Sequence, residues 1–321
     1  MSVPHETVHP LVRKLATATC VVALLPISMG ALVTTLKAGM AFADWPSSDG
    51  QNMLLYPWFS DFARHPDKFV EHGHRLAGML IGFVSVVLAF AGWRLGTRSV
   101  RIFVTAILIA VILQGLLGGA RVLLDRETLA LTHSVTGGCF FSLCAVFRLY
   151  CSTGWSQWLK SSDERITAAG AALIAIAPVA VLGQYVLGGF LRHLHRMLNE
   201  HLAGAVIVTL ICLAVSAVLL RSGHALLRYC GAFVVGSLGL QVLLGFGAYL
   251  TRFGLPAVGY VATSGSGAQA IVCSMHTVAG MFLVSSTVLS AFSLVKLYQA
   301  GCLPGLRIDD VSSLANRETA A

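Results

Sequence analysis

Residues 71 to 75 read Glu-His-Gly-His-Arg, and the run that follows, from Leu76 to Trp93, carries no charge at all. Glu71 precedes His74 by three residues, so on a helix the carboxylate and the imidazole lie on one face, one turn apart. Arg75 stands beside them. His72 is rotated about 200° from His74 on a helix and reads as an interfacial residue. A carboxylate, an imidazole and a guanidinium at this spacing suit acid–base work or the ligation of a metal. Three more histidines, His133, His201 and His276, sit in the same way near the start of apolar runs. An ionisable residue in such a run is costly and points to function.

Two imidazoles facing one another can hold zinc, a proton or a haem iron. Zinc takes three or four ligands, and no cysteine or carboxylate recurs beside both histidine pairs to complete such a set. Haem needs one or two axial ligands and a flat slot in an apolar bundle. Gly118, Gly119, Gly245 and Gly247 are the small residues that would open such a slot, or equally let helices pack closely. Arg75, Arg121, Arg192, Arg196 and Arg252 fall near the same helix ends. They suit the carboxylate arms of a cofactor, or simply the membrane interface.

The elements that carry these residues follow from composition. Of 321 residues, 56% are hydrophobic and 11% charged, against about 25% charged in a soluble domain. Eight segments reach the roughly 20 apolar residues that span a bilayer: 14–36, 71–93, 102–120, 129–150, 167–190, 199–220, 229–250 and 269–295. Backbone groups in the bilayer must pair internally, so these are helices, and the fold class is an all-α integral membrane protein. A cytoplasmic N-terminus places thirteen Lys and Arg inside and nine outside, the sense of the positive-inside rule. The net charge of +8 is mostly this topological bias, and no basic cluster with interleaved aromatics suggests nucleic acid. The short N-terminal lead argues against a transit peptide, which favours a prokaryotic plasma membrane with both termini cytoplasmic. The segment from Pro304 reads as a loose cytoplasmic tail. None of the eight cysteines falls in an outer loop, so no structural disulfide is expected.

The sequence also repeats. LQGLLGGARVL from Leu113 matches LQVLLGFGAYL from Leu240, and HRLAG at His74 matches HLAG at His201, both at an offset of 127. THSVTGG around His133 matches MHTVAGM around His276 at an offset of 143. The spacing predicts two pseudo-symmetric four-helix bundles, 1–160 and 161–321, inserted the same way up. Their second and fourth helices run in parallel, so the four histidines lie at similar depth near the outer surface. Leu198 takes the place of Glu71 in the second half, so only the first half has a carboxylate one turn before its histidine. That assigns chemistry to the first half and electron transfer to the second. A transporter built on repeats would show Pro-interrupted helix pairs at the midplane, and these are not evident.

Taken together, Glu71, His74 and Arg75, LQGLLGGARV before LTHSVTGG, EHLAG at 200–204, MHTVAG at 275–280 and DWP at 44–46 resemble the haem A synthase family over nearly the whole chain. The resemblance implies eight transmembrane helices in two bundles and oxidation of the C8 methyl group of haem O to the formyl group of haem A, for assembly of haem-copper oxidases. It implies a haem b between His201 and His276, and a catalytic substrate site at His74 and His133 with the nearby Glu71, which would either handle a proton or hydrogen-bond and orient His74. Arg75, Arg121 and Arg252 are the cofactor-binding arginines expected. Haem O synthase is the expected donor. The electron partner is unknown, and self-association is open. A diheme cytochrome that only passes electrons is the alternative. Two departures stand out. Family members commonly carry a cysteine pair in the first outer loop, and residues 40–70 hold none. A Thr-Arg-Leu arginine common at the end of the first helix is replaced here by Lys37.

Overall fold

The computed structural model describes residues 8–159 and 166–303, so the segment from Pro304, read above as a tail, lies outside the described residues. Among the described residues eight helices are long and apolar enough to cross a membrane. They are α1 (Pro10–Thr35), α2 (Pro66–Leu95), α3 (Arg98–Leu124), α4 (Glu127–Tyr150), α5 (Ala168–Leu194), α6 (Leu198–Leu220), α7 (Ala225–Phe253) and α8 (Gly267–Gln299). The protein is a multi-pass all-α membrane protein, and the only β pairing among the described residues is in two isolated bridges.

Several helices begin earlier than hydropathy alone places them, because polar first turns extend them beyond the apolar run. Helix α2 starts at Pro66 with Asp67 in its first turn, a favourable N1 residue followed by an acid at the positive end of the helix dipole. Helix α1 is interrupted at Ala23, between helical stretches Pro10–Val22 and Leu24–Thr35. Pro26 explains the break: it has no N–H to give Val22, and its ring crowds that carbonyl.

Within the first four helices the core runs along α1 to α4 through Val12, Ala16, Ile81, Leu88, Val104, Ile107 and Phe147. Two clusters among α5 to α8 are built on Ile174, Val215, Leu219 and Leu297, and on Val181, Cys212, Val234 and Val284. The two sets of helices meet where α8 packs on α1 and α4, and α5 on α4. This seam uses small residues. Ser142 of α4 meets Ser285 of α8 at 2.9 Å, and Tyr185 of α5 fills the space left by Gly138 and Gly280. In a bilayer, where apolar burial drives little association, close backbone approach and interhelical hydrogen bonds hold such seams. Cys20, Cys139, Cys144, Cys151, Cys212, Cys230 and Cys273 are free thiols.

Candidate functional site

His74 of α2 and His133 of α4 face each other with ring centroids 6.1 Å apart and planes at 83°. His201 of α6 and His276 of α8 repeat this at 6.4 Å and 84°. Each ring rests on a glycine of the preceding helix. A Cβ added to Gly30, Gly118, Gly188 or Gly245 would stand 2.9, 3.2, 3.1 or 2.9 Å from Cε1 of His74, His133, His201 or His276. Any side chain at these positions would push the ring out of place. Of the slot glycines expected from sequence, Gly118 and Gly245 therefore seat histidines. Gly119 instead admits the Trp45 ring, and Gly247 packs near Val272.

The two pairs have the dimensions of a single metal each. A metal–imidazole bond of about 2.0–2.1 Å, with roughly 1.1 Å from nitrogen to ring centre, puts two imidazoles on one metal about 6.3 Å apart. His133 Nδ1 and His276 Nδ1 are buried with no hydrogen-bond partner, as ligand rings without their ligand would be. Among the described residues no third His, Cys, Asp or Glu joins either pair. Two nitrogens and no more suit an iron already held in the plane of a macrocycle.

The surroundings of the first pair differ from the expectation. Glu71 is buried, and its carboxylate is turned up to the outer loop. It accepts hydrogen bonds from Ala41 N at 2.8 Å, Phe42 N at 3.4 Å and Arg75 Nη2 at 2.8 Å. It does not orient His74, whose Nδ1 lies 2.9 Å from the Pro26 carbonyl of α1. Arg75 is likewise occupied, donating to the Asp44 and Ser47 carbonyls at 2.9 and 2.7 Å. His72 is not interfacial. It is 1% exposed, lies 3.1 Å from the Ser48 hydroxyl, and is enclosed by Phe42, Tyr56 and Trp58. The outer loop folds down onto α2 and carries these groups inside with it.

The loop has its own electrostatics. Burial opposes ionisation of Asp44, but the Ser47 hydroxyl and the amides of Gly50 and Asp49 outweigh it and hold its carboxyl below the usual range. Burial, then the hydrogen bond from its hydroxyl to Asp61 at 2.6 Å, raises the Tyr56 phenol.

At the ends of α1, α3, α5 and α7 lies a cavity of about 590 Å³ lined by Lys37, Arg121, Arg192, His193, His195 and Arg252 among others. Asp125 and Glu127 are the acids on its wall. Arg121 reaches the Gly39 carbonyl at 2.7 Å, and Arg252 meets His195 at 3.1 Å. Arg192 binds the Ala31 carbonyl and Thr35 of α1 and Thr277 of α8. Arg196 is exposed and does not line the cavity. His193 was not anticipated. It crosses from α5 to Ser134 of α4 at 2.9 Å, beside His133, and no repeat partner marked it.

No family model matches the chain. Curated relatives do. It is 32% identical over 101 residues to a Heme A synthase of Ruegeria sp. (strain TM1040), covering 30% of this chain and 26% of that protein. It is 34% identical over 104 residues to a Heme A synthase of Roseobacter denitrificans, covering 31% and 27%. A Heme A synthase of Shouchella clausii is 28% identical over 146 residues, covering 44% and 46%. The chain resembles the haem A synthases. The matches span from about a quarter to just under half the length of these relatives. The resemblance to the haem A synthases and the paired histidines are independent observations, one from aligned residues and one from geometry.

Proposed function

We propose that this protein is a haem A synthase that oxidises the C8 methyl group of haem O to a formyl group. The observation that carries the reading is the pair of histidine pairs, alike in geometry, with a carboxylate-clamped outer loop beside the first. Haem b bound at His201 and His276 would supply one-electron chemistry there. The chain's own contribution at that site is two imidazoles seated on Gly188 and Gly245. At the first site His74 and His133 frame the porphyrin plane of haem O. Arg121 and Arg252, with Lys37 and Arg192 on the same cavity wall, supply positive charge for carboxylate arms.

Glu71 and Arg75 act together as the clamp that closes loop 36–51 over the first site. The clamp shields the first site from bulk solvent, and the carboxylate of Glu71 is the group we place to pass a proton when the clamp opens. This support for closure replaces the expectation that Arg75 meets a propionate. The setting that fits is a prokaryotic plasma membrane, both termini cytoplasmic and the cavity facing outwards. Haem O synthase is the matching donor, and the products serve haem-copper oxidase assembly.

The test is pigment extraction from membranes that make this chain together with a haem O synthase. Haem A should appear, and should be absent when the chain is omitted. Haem O accumulating unchanged, beside a protein that shows two haem spectra, would instead make it an electron-transfer cytochrome.

A further inference from the structure

Three of the odd-numbered helices carry Gln-x-x-x-Gly: Gln114 to Gly118, Gln184 to Gly188 and Gln241 to Gly245. In each the glycine seats a histidine, and the glutamine lies one turn deeper on the same face. In α1 the corresponding pair is Pro26 and Gly30. In the second site both glutamines turn to the rings. Gln184 Nε2 is 3.0 Å from His201 Nδ1, and Gln241 Nε2 is 3.4 Å from His276 Nε2. Gln184 Nε2 also donates to the His201 carbonyl at 2.8 Å, and the carboxamide oxygens of both glutamines are buried and unpartnered. In the first site Gln114 is turned away. Its Nε2 donates instead to Thr136 Oγ1 at 2.6 Å.

The cause is one position. Three residues after His133 stands Thr136, and three residues after His276 stands Ala279. The Thr136 hydroxyl gives its proton to the Thr132 carbonyl at 2.7 Å, which leaves its oxygen as an acceptor for Gln114. Ala279 has no hydroxyl, so Gln241 stays beside His276. A metal-bound histidine whose other nitrogen is hydrogen-bonded is held in one tautomer and one orientation, and is the stronger ligand for it.

We propose that Thr136 and Ala279 are positioning residues that set how long each site keeps its tetrapyrrole. Thr136 withholds Gln114 from His133, so the first site releases its ligand and accepts another. Ala279 leaves Gln241 on His276, so the second site retains its haem. The proposal rests on the haem-ligand reading above.

The experiment measures haem transfer from the detergent-solubilised holoprotein to excess apomyoglobin, with the midpoint potential of the resident haem as a second readout. Ala279→Thr should speed release from the second site by about tenfold or more, the usual range for losing such a partner. Ala279→Val, of the same shape without the hydroxyl, should not, which separates hydrogen bonding from crowding in this buried position. Gln241→Leu should reproduce the Ala279→Thr rate and shift the potential the same way. In the first site, Thr136→Ala and Thr136→Val should slow release of haem O by a similar factor, and Thr136→Ser should restore it. Equal acceleration by Ala279→Thr and Ala279→Val, or unchanged release from both Thr136→Ala and Thr136→Val, overturns the proposal. A wild-type haem whose bis-histidine spectrum survives His201→Leu overturns the underlying reading instead.

Discussion

Above His74 and His133 the connection between α1 and α2 runs from residue 36 to 65 and is tied down at many points. Arg121 holds Gly39, Glu71 holds Ala41 and Phe42, Arg75 holds Asp44 and Ser47, and Trp45 lies in the notch at Gly119. Above His201 and His276 the connection between α5 and α6 is only residues 195–197. The facing imidazoles of the two pairs are nearly alike in spacing and tilt. One scaffold thus presents the same pair of imidazoles twice, once beside the long 36–65 loop and once beside the short 195–197 turn and the 254–266 loop, once with a carboxylate one turn away and once with Leu198. If the proposed division of roles holds, the difference lies in the surrounding loops and in Glu71, since the facing imidazoles are alike.

The strongest way to break that comparison is at the ligands. His201→Leu or His276→Leu should abolish the low-spin bis-histidine spectrum of the purified protein. His74→Leu or His133→Leu should stop haem A formation while most of the resident haem b stays in place. Equal haem loss from variants of both pairs would end the division of roles.

The clamp comes next. Glu71→Ala leaves the Arg75 guanidinium buried without its partner, which costs about 3–5 kcal/mol. The loop should then open to proteolysis between residues 36 and 65, and haem A should fall sharply with haem b unchanged. Glu71→Gln keeps a group that can accept from Ala41 N and Arg75 but removes the titratable proton. If Glu71→Gln protects the loop yet makes no haem A, Glu71 handles a proton as well as closing the roof. Normal haem A from Glu71→Gln would leave closure as its whole role.

The glycine seats should give smaller, graded effects. Alanine at Gly30 or Gly245, where a Cβ would stand 2.9 Å from the ring, should disturb its site more than alanine at Gly188 or Gly118, at 3.1 and 3.2 Å. Resonance Raman or EPR of the loaded sites would read the ring tilt. Gly245→Ala should perturb only the haem b signal, and Gly30→Ala only the first site.

The smallest effect expected is a pH dependence of the roof. Hydrogen bonds hold the Asp44 carboxyl below its ordinary range in the folded loop. Its contribution is therefore complete above the unfolded carboxylate value, near 3.9, and is lost as pH falls through the lower folded value. Hydrogen exchange of the Asp49 and Gly50 amides should rise only in that acid window, and Asp44→Asn should remove the dependence.

The amino-acid sequence by itself determined the eight spans, because a run of apolar residues long enough to cross a bilayer has no other stable conformation. It also pointed to the pairing of His74 with His133 and of His201 with His276, since the second and fourth helices of each half run in parallel and carry their histidines near the same end. Tertiary structure alone decided where the polar side chains near them point. Glu71 shares a helix face with His74, yet its carboxylate goes to Ala41, because a loop distant in sequence brings buried N–H groups that need an acceptor. His72 looked interfacial for the same reason: the residues that cover it, Phe42, Tyr56 and Trp58, lie on that loop. Thr136 and Ala279 sit at one repeat position, and their difference acquires meaning only when a glutamine on the neighbouring helix is placed within reach of both hydroxyl and ring.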